Sequence, residues 1–242
     1  MQIFGLTDIG TKRQTNQDAF INTVLSRNAA LCVVCDGMGG ANAGNIASSM
    51  AANIITDYIK RSFVPTLQSL SIKNLLFSAI DTANTEVFNK AQSGAQFSGM
   101  GTTAVVALVL GDTAYIAHVG DSRAYLIKNG SVLQLTRDHS VVQTLIERGH
   151  LTPDEAKTHP ERNVITRAIG ITESLESDFT EVPISNSVLL VSTDGVTNVI
   201  NEDALVKMVA EKTLEQLPKS IIDLANELDS GDNVTACVMA LD

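Results

Sequence analysis

Basic residues are in short supply. Lysine and arginine together number 17 against 27 aspartates and glutamates, giving a formal charge of -10 and a pI near 4.8. That balance argues against a nucleic-acid footprint, which needs clustered positive charge, while leaving room for a local cationic site on an acidic body. Long apolar runs are missing too. The longest, Ala104–Leu110, is far too short to span the hydrocarbon core of a bilayer. No N-terminal stretch joins basic residues to an apolar segment, so neither a leader nor membrane insertion is expected, and the cytoplasm is the expected compartment. Cysteine is scarce and odd in number: Cys32, Cys35 and Cys237 make no disulfide framework. Cys32 and Cys35 have C-x-x-C spacing, but an offset of three on a strand points them to opposite faces, so they read as core fillers. A cysteine-dependent phosphatase would need an arginine shortly after its nucleophile, and Met38 and Ala41 stand there instead. No repeat, low-complexity segment or linker interrupts the chain. With 44% hydrophobic and 18% charged residues it reads as one globular domain over residues 1–242, expected to be a monomer.

What is present centres on Leu31-Cys-Val-Val-Cys-Asp36-Gly-Met-Gly-Gly40. A β-favouring apolar run ends in a carboxylate, with glycines that let the backbone come close to whatever the carboxylate holds. Such a place suits a hard cation, which takes carboxylate and carbonyl oxygens. Asp-Gly is also a common turn dipeptide, so a single occurrence means little. The pattern recurs, however: Asp121 after Gly120, Asp194 before Gly195, and Asp232 between Gly231 and Asn233. If clustered, four acids would repel one another at neutral pH, and either their pKa values rise or cations neutralise them.

Strands are expected over residues 2–7, 19–24, 29–35, 102–110, 113–119, 122–128, 131–135, 187–192 and 234–241. Helices are expected over residues 45–60, 72–92, 203–211 and 214–228. In the first helix Ile46, Met50, Ile54 or Ile55, and Tyr58 or Ile59 form the expected apolar face; in the second, Ile72, Leu76, Ile80, Ala83 and Val87 do. The stretch 138–170 breaks the β rhythm with two short helices and suits a flap over a site. His139, His150 and His159 in it read as surface hydrogen-bonding or capping residues, and His118 as a structural histidine in a strand. The order of elements fits two antiparallel sheets packed together with helices outside. Arg13, in the polar loop 11–18, has a guanidinium fork suited to phosphate oxygens, and Asp18 either works on water near a metal or caps the loop.

The segments Arg13-Gln-Thr-Asn-Gln-Asp18, Asp36-Gly-Met-Gly-Gly40, Gly101-Thr-Thr103, Gly120-Asp-Ser-Arg123, Thr193-Asp-Gly195 and Gly231-Asp-Asn233 resemble, in order and spacing, the PPM-type (type 2C) metal-dependent serine/threonine protein phosphatases, most closely the compact bacterial members. The resemblance implies an α+β fold: a central antiparallel β-sandwich flanked by helices on both sides, four layers in all, with a flap insertion around residues 138–180. It implies Mn²⁺ or Mg²⁺ at two core positions, with a third ion under the flap. Asp36 would bridge the pair, the Gly37 carbonyl would bind one, Asp194 and Asp232 would complete the other, and Asp121, with or without Asp194, would hold the weaker third ion. Arg13 would clamp phosphate, and Asp18 would hydrogen-bond a metal-bound water. A hydroxide shared by the two ions would attack phosphorus in line. The implied substrates are phosphoserine and phosphothreonine in proteins, including a bacterial Ser/Thr kinase.

This chain departs from the family pattern in two places. Met38 stands where many eukaryotic members carry a histidine assigned as the leaving-group acid, and Gln17 stands where an acid is frequent. From a different functional class, a catalytically silent phosphoprotein-binding module on the same fold would be expected to lose the metal acids, and this chain keeps all four. An aspartyl-phosphate phosphatase would need an Asp-x-Asp motif, which neither Asp36 nor Asp194 begins.

Overall fold

A computed structural model describes residues 1–39 and 43–241; Gly40 and Ala41, named above, lie outside the described residues. In chain order the elements are β1 (Gln2–Asp8), β2 (Asp18–Ser26), β3 (Ala29–Met38), α1 (Ala43–Ser62), α2 (Ser69–Gln92), β4 (Gly101–Thr102), β5 (Ala104–Leu110), β6 (Thr113–Val119), β7 (Arg123–Lys128) and β8 (Ser131–Gln134). They continue with α3 (Val141–Glu147), α4 (Pro153–Ala156), β9 (Asp178–Pro183), β10 (Val188–Ser192), α5 (Asp194–Thr197), α6 (Glu202–Glu211), α7 (Leu217–Glu227) and β11 (Val234–Ala240). One sheet runs β1-β11-β10-β7-β8 and the other β2-β3-β5-β6-β9, with β4 added to the end of β3. Every ladder is antiparallel.

Alternation along β3 shows why the layers stack as they do. Ala30, Cys32 and Val34 face the other sheet, joining Val105, Ile116, Leu189, Val191 and Cys237 in the inter-sheet core. Leu31, Val33 and Cys35 face the opposite way, into a core shared with α1 and α2. The two cysteines therefore do part to opposite faces, both fully buried. On the far side of the first sheet, Tyr125, Leu190 and Val238 pack with Ile221, Ile222 and Ala225 of α7. Two helical layers thus enclose two sheets, as the sequence indicated.

The α1 apolar face is built of smaller residues than expected: Ala47, Ala51, Ala52, Ile55 and Ile59 are buried, whereas Ile46, Met50, Ile54 and Tyr58 are only partly so. The helix lies close on its sheet. A Cβ at Gly44 would stand 2.8 Å from the Gly37 backbone, so the larger residues must turn to the margins. The second helix keeps the expected face, since Ile72, Leu76, Ile80, Ala83 and Val87 are all buried. The flap ends earlier than the expected limit near residue 180. Asp178–Pro183 is β9, pairing with β6 from His118↔Asp178 to Thr113↔Pro183. Its charged residues and terminal proline hid it, and they are what an edge strand tolerates. The flap is fastened at its root by antiparallel bonds between Thr102 and Ile169, at 3.0 and 2.9 Å.

Candidate active site

Asp36 does not end its strand. β3 continues to Met38 because β4 pairs with it at Gly37↔Thr102 and Met38↔Gly101. The Asp36 backbone is held on both sides: its N–H donates to Thr103 Oγ1 at 2.9 Å, and its carbonyl accepts from Thr103 N and Thr102 Oγ1, each at 2.8 Å. The side chain is left free to project. Gly37 is fixed by close approach. Its N–H donates to the Gln17 carbonyl at 3.0 Å, and an added Cβ would meet the Gly44 carbonyl oxygen at 2.1 Å. Any larger residue would push α1 away from the site.

Asp18 opens β2 directly across from Asp36 in the ladder, not in the preceding loop. It is buried, and its Oδ2 accepts from Thr193 Oγ1 at 2.9 Å and Thr235 Oγ1 at 2.6 Å. Its Oδ1 is buried with no partner among the described residues. Asp194 begins α5; Asn198 donates to its Oδ2 at 3.1 Å, and its Oδ1 is likewise buried without a partner among the described residues. Asp232 accepts from Arg13 Nη2 at 2.7 Å, an ion pair at the exposed rim. Asp121 follows Gly120, whose φ of 102° suits glycine alone among common residues.

Electrostatics show that these acids form one group. The Asp36 carboxyl is pushed well above the usual carboxylate range, first by burial and then by the charges of Asp18, Asp194, Asp121 and Asp232. Burial raises Asp121 to about 7, with further upward pressure from Asp194 and Asp138 and relief from Arg123. Burial also raises Asp18 to about 7 against the pull of its two threonine hydroxyls. Asp194 rises to about 6 through burial and then the charge of Asp232, against the pull of its Asn198 hydrogen bond. Five carboxyl groups drawn from β2, β3, the β6–β7 turn, α5 and the approach to β11 thus share one field, with Arg13 the cation on their rim. Among the described residues, no three of these aspartates bring ligand atoms to within mutual ligating distance.

Asn233 went unmarked as a builder of the site. It is buried; its Nδ2 donates to the carbonyls of Ile9 (2.9 Å) and Thr15 (3.0 Å), and its Oδ1 accepts from Gln17 N at 2.9 Å. One side chain therefore pins both ends of the loop that carries Arg13. The Gly231-Asp-Asn motif marked the position but not this task; only the loop's return onto β11 reveals it.

Apart from the aspartates, His118, His139 and Asp178 offer ligand atoms all within 4.8 Å of one another. A metal ion could use that spacing, but existing partners already occupy much of it. His118 Nε2 donates to the Arg137 carbonyl at 2.8 Å, His139 Nδ1 accepts from Gly120 N at 3.1 Å, and Arg167 lies 3.1 Å from Asp178. His139, expected on the surface, is buried and stacks on His118 with ring centroids 4.8 Å apart.

Known proteins resemble this chain in sequence and in fold. Residues 10–229 match the family model described as protein phosphatase 2C. Protein phosphatase PhpP of Streptococcus pneumoniae is 34% identical, covering 100% of this chain and 98% of its own. The serine/threonine phosphatase stp of Listeria monocytogenes is 36% identical, over 98% of this chain and 94% of its own. Among solved structures, serine/threonine phosphatase Stp1 from Staphylococcus aureus superposes with a TM-score of 0.94 at 34% identity, covering 100% of this chain and 95% of that one. Matched along nearly its whole length in sequence and in fold, the chain belongs to the protein phosphatase 2C family, as a serine/threonine phosphatase of the bacterial type.

Proposed function

We propose that this enzyme hydrolyses phosphoserine and phosphothreonine esters in proteins with the aid of Mn²⁺ or Mg²⁺, and so reverses Ser/Thr kinase signalling in the bacterial cytoplasm. One observation carries the reading: Asp36 is ringed by Asp18, Asp194, Asp121 and Asp232, which Arg13 and Arg123 offset only in part. Such a group is fully ionised at neutral pH only with cations nearby. The donors fit hard divalent ions, being carboxylate and carbonyl oxygens with no histidine or cysteine among them. The partnerless Oδ1 of Asp194 leaves acceptor capacity for such an ion. Asp36, Asp194, Asp232 and the Gly37 carbonyl would hold two ions, and Asp121 a weaker third.

When bound, the cations acidify water and screen the phosphoryl oxygens. The chain's own residues do the rest. Arg13, half exposed beside Asp232, presents a planar fork that matches two phosphate oxygens and orients the ester for in-line displacement. Asp18, with one oxygen tied to Thr193 and Thr235, keeps Oδ1 free to accept a hydrogen bond from water and orient it. Met38 carries no proton to give the leaving oxygen, so a water proton serves. No phosphoenzyme is needed. Among the described residues no helix is long and apolar enough to cross a membrane.

A phosphothreonine peptide assayed with and without manganese tests the reading. Phosphate release that needs the metal, stops with chelator and disappears in Asp36→Asn is expected. Peptide binding with no release by the manganese-loaded wild type would instead make the chain a silent phosphoprotein reader.

A further inference from the structure

Consecutive residues at the root of the flap grip the two ends of the segment that presents Asp121. The Asp138 carboxylate binds Arg123 through three contacts, Nε at 2.9 and 3.1 Å and Nη2 at 2.6 Å. His139 holds Gly120 on both sides: its backbone N–H donates to the Gly120 carbonyl at 2.9 Å, and its Nδ1 accepts from the Gly120 N–H at 3.1 Å. Only Asp121 and Ser122 lie between the clamped residues. Ser122 in turn shares a 2.7 Å hydrogen bond with Thr103 Oγ1, the atom that receives the Asp36 N–H.

The other contacts of His139 run into the flap. Its carbonyl accepts from Thr166 N at 2.7 Å, and its Nε2 faces Asp178 Oδ2 at 3.4 Å. Arg167 Nη1 lies 3.1 Å from Asp178 Oδ1 and 3.4 Å from His139 Nε2. Because Gly120 donates to Nδ1, the proton of the neutral ring sits on Nε2, directed to Asp178; this tautomer is assigned from the hydrogen-bond network. A ring used on both nitrogens, buried, and stacked on His118 has little freedom to move without moving Gly120.

We propose that His139 is a positioning residue: it aims the Asp121 carboxylate and couples that aim to the flap through Thr166, Asp178 and Arg167. Where the flap sits then governs how tightly the third, weaker cation is held. The proposal rests on the reading of Asp121 as a ligand of that ion.

Two substitutions separate positioning from mere packing. In His139→Asn the side-chain oxygen stands where Nδ1 stood and accepts from Gly120. In His139→Gln the polar atoms reach toward Asp178 and leave the Gly120 N–H unpaired. Manganese binding is followed by calorimetry on each protein, alongside kcat and KM with a small aryl phosphate and imidazole ¹⁵N spectra of the wild type. The Gln variant is expected to lose about tenfold in the weakest manganese affinity, as befits one lost hydrogen bond. The tighter sites and the KM should hold while kcat falls, and Asn should restore most of the loss. The spectra should show Nδ1 bare and Nε2 protonated. A Gln variant that keeps wild-type affinity at the weak site would overturn the proposal alone. A wild type with no weak third site would remove the Asp121 reading and the proposal with it.

Discussion

Replacing Asn233 with alanine tests whether one side chain holds the Arg13 loop in place. The three hydrogen bonds it makes to Ile9, Thr15 and Gln17 are all between 2.9 and 3.0 Å, and the residue is 4% exposed. A buried hydrogen bond of this kind contributes about 1 kcal/mol net, so losing the set costs roughly 3 kcal/mol. Against a typical total of about 5–15 kcal/mol that is a large share, and for a chain of this length it corresponds to roughly 6–12 °C in melting temperature. Asn233→Asp should be at least as harmful, since it keeps the acceptor for Gln17 but sets a carboxylate oxygen against two carbonyls. Thermal unfolding with saturating manganese measures the first effect. The second appears at temperatures where both proteins are folded: a loop released from β11 no longer holds Arg13 at the rim, and kcat/KM should fall. An alanine variant that melts with the wild type would show that the loop is held by something other than Asn233.

Three further expectations come from the same geometry. Asp36→Asn removes the most crowded charge, so the chelated variant should melt several degrees above the chelated wild type, while manganese should no longer raise its melting temperature. Arg13→Ala removes charge-assisted bonds of about 1.5–3 kcal/mol each and should lower kcat/KM roughly 10- to 150-fold for each bond lost, without abolishing turnover; unchanged kinetics would remove Arg13 from the phosphate's path. Burial, then the neighbouring His118, lowers His139 from 6.5 to about 4, with Asp178 and Arg167 also facing the ring. A base whose folded pKa is depressed binds more protons when unfolded, so its stabilisation is present above pH 6.5 and lost as pH falls toward 4. With manganese bound, wild type should therefore lose about 2 kcal/mol more than His139→Asn between pH 7 and pH 5 in urea unfolding, and equal losses would contradict the buried neutral ring.

The aspartates were legible in the sequence because each stood beside glycine or asparagine at the boundary of a readable strand, and because the pattern recurred. The strand alternation was legible as well: offsets along β3 placed Cys32 and Cys35 on opposite faces. What stayed hidden was set by register between distant strands. Nothing local to Thr193 or Thr235 reveals that both hydroxyls reach Asp18, whose nearest ladder partner is Asp36. His139 read as a surface residue because polar neighbours surround it in sequence, yet the turn at Gly120 and the ring of His118 cover it. The strand β9 escaped because an edge strand has no need of the apolar alternation that marks a buried one.

The way hydrogen bonds are distributed over the acids favours cation binding over simple charge burial. At Asp36 the threonines take the backbone and leave the carboxylate alone. At Asp18 and Asp194 one oxygen is bonded and the other, among the described residues, is left buried without a partner. A fold selected only for stability would pair each of these oxygens with a lysine or arginine, or replace the acids with apolar residues. Here the scaffold fixes where each carboxylate stands but leaves part of its acceptor capacity unspent; Arg123 is committed to Asp138, and Arg13 lies at the rim, where phosphate would arrive. The crowding that weakens the metal-free chain is therefore the same feature that would draw divalent ions, and relieving it by mutation should stabilise the fold and silence the site together.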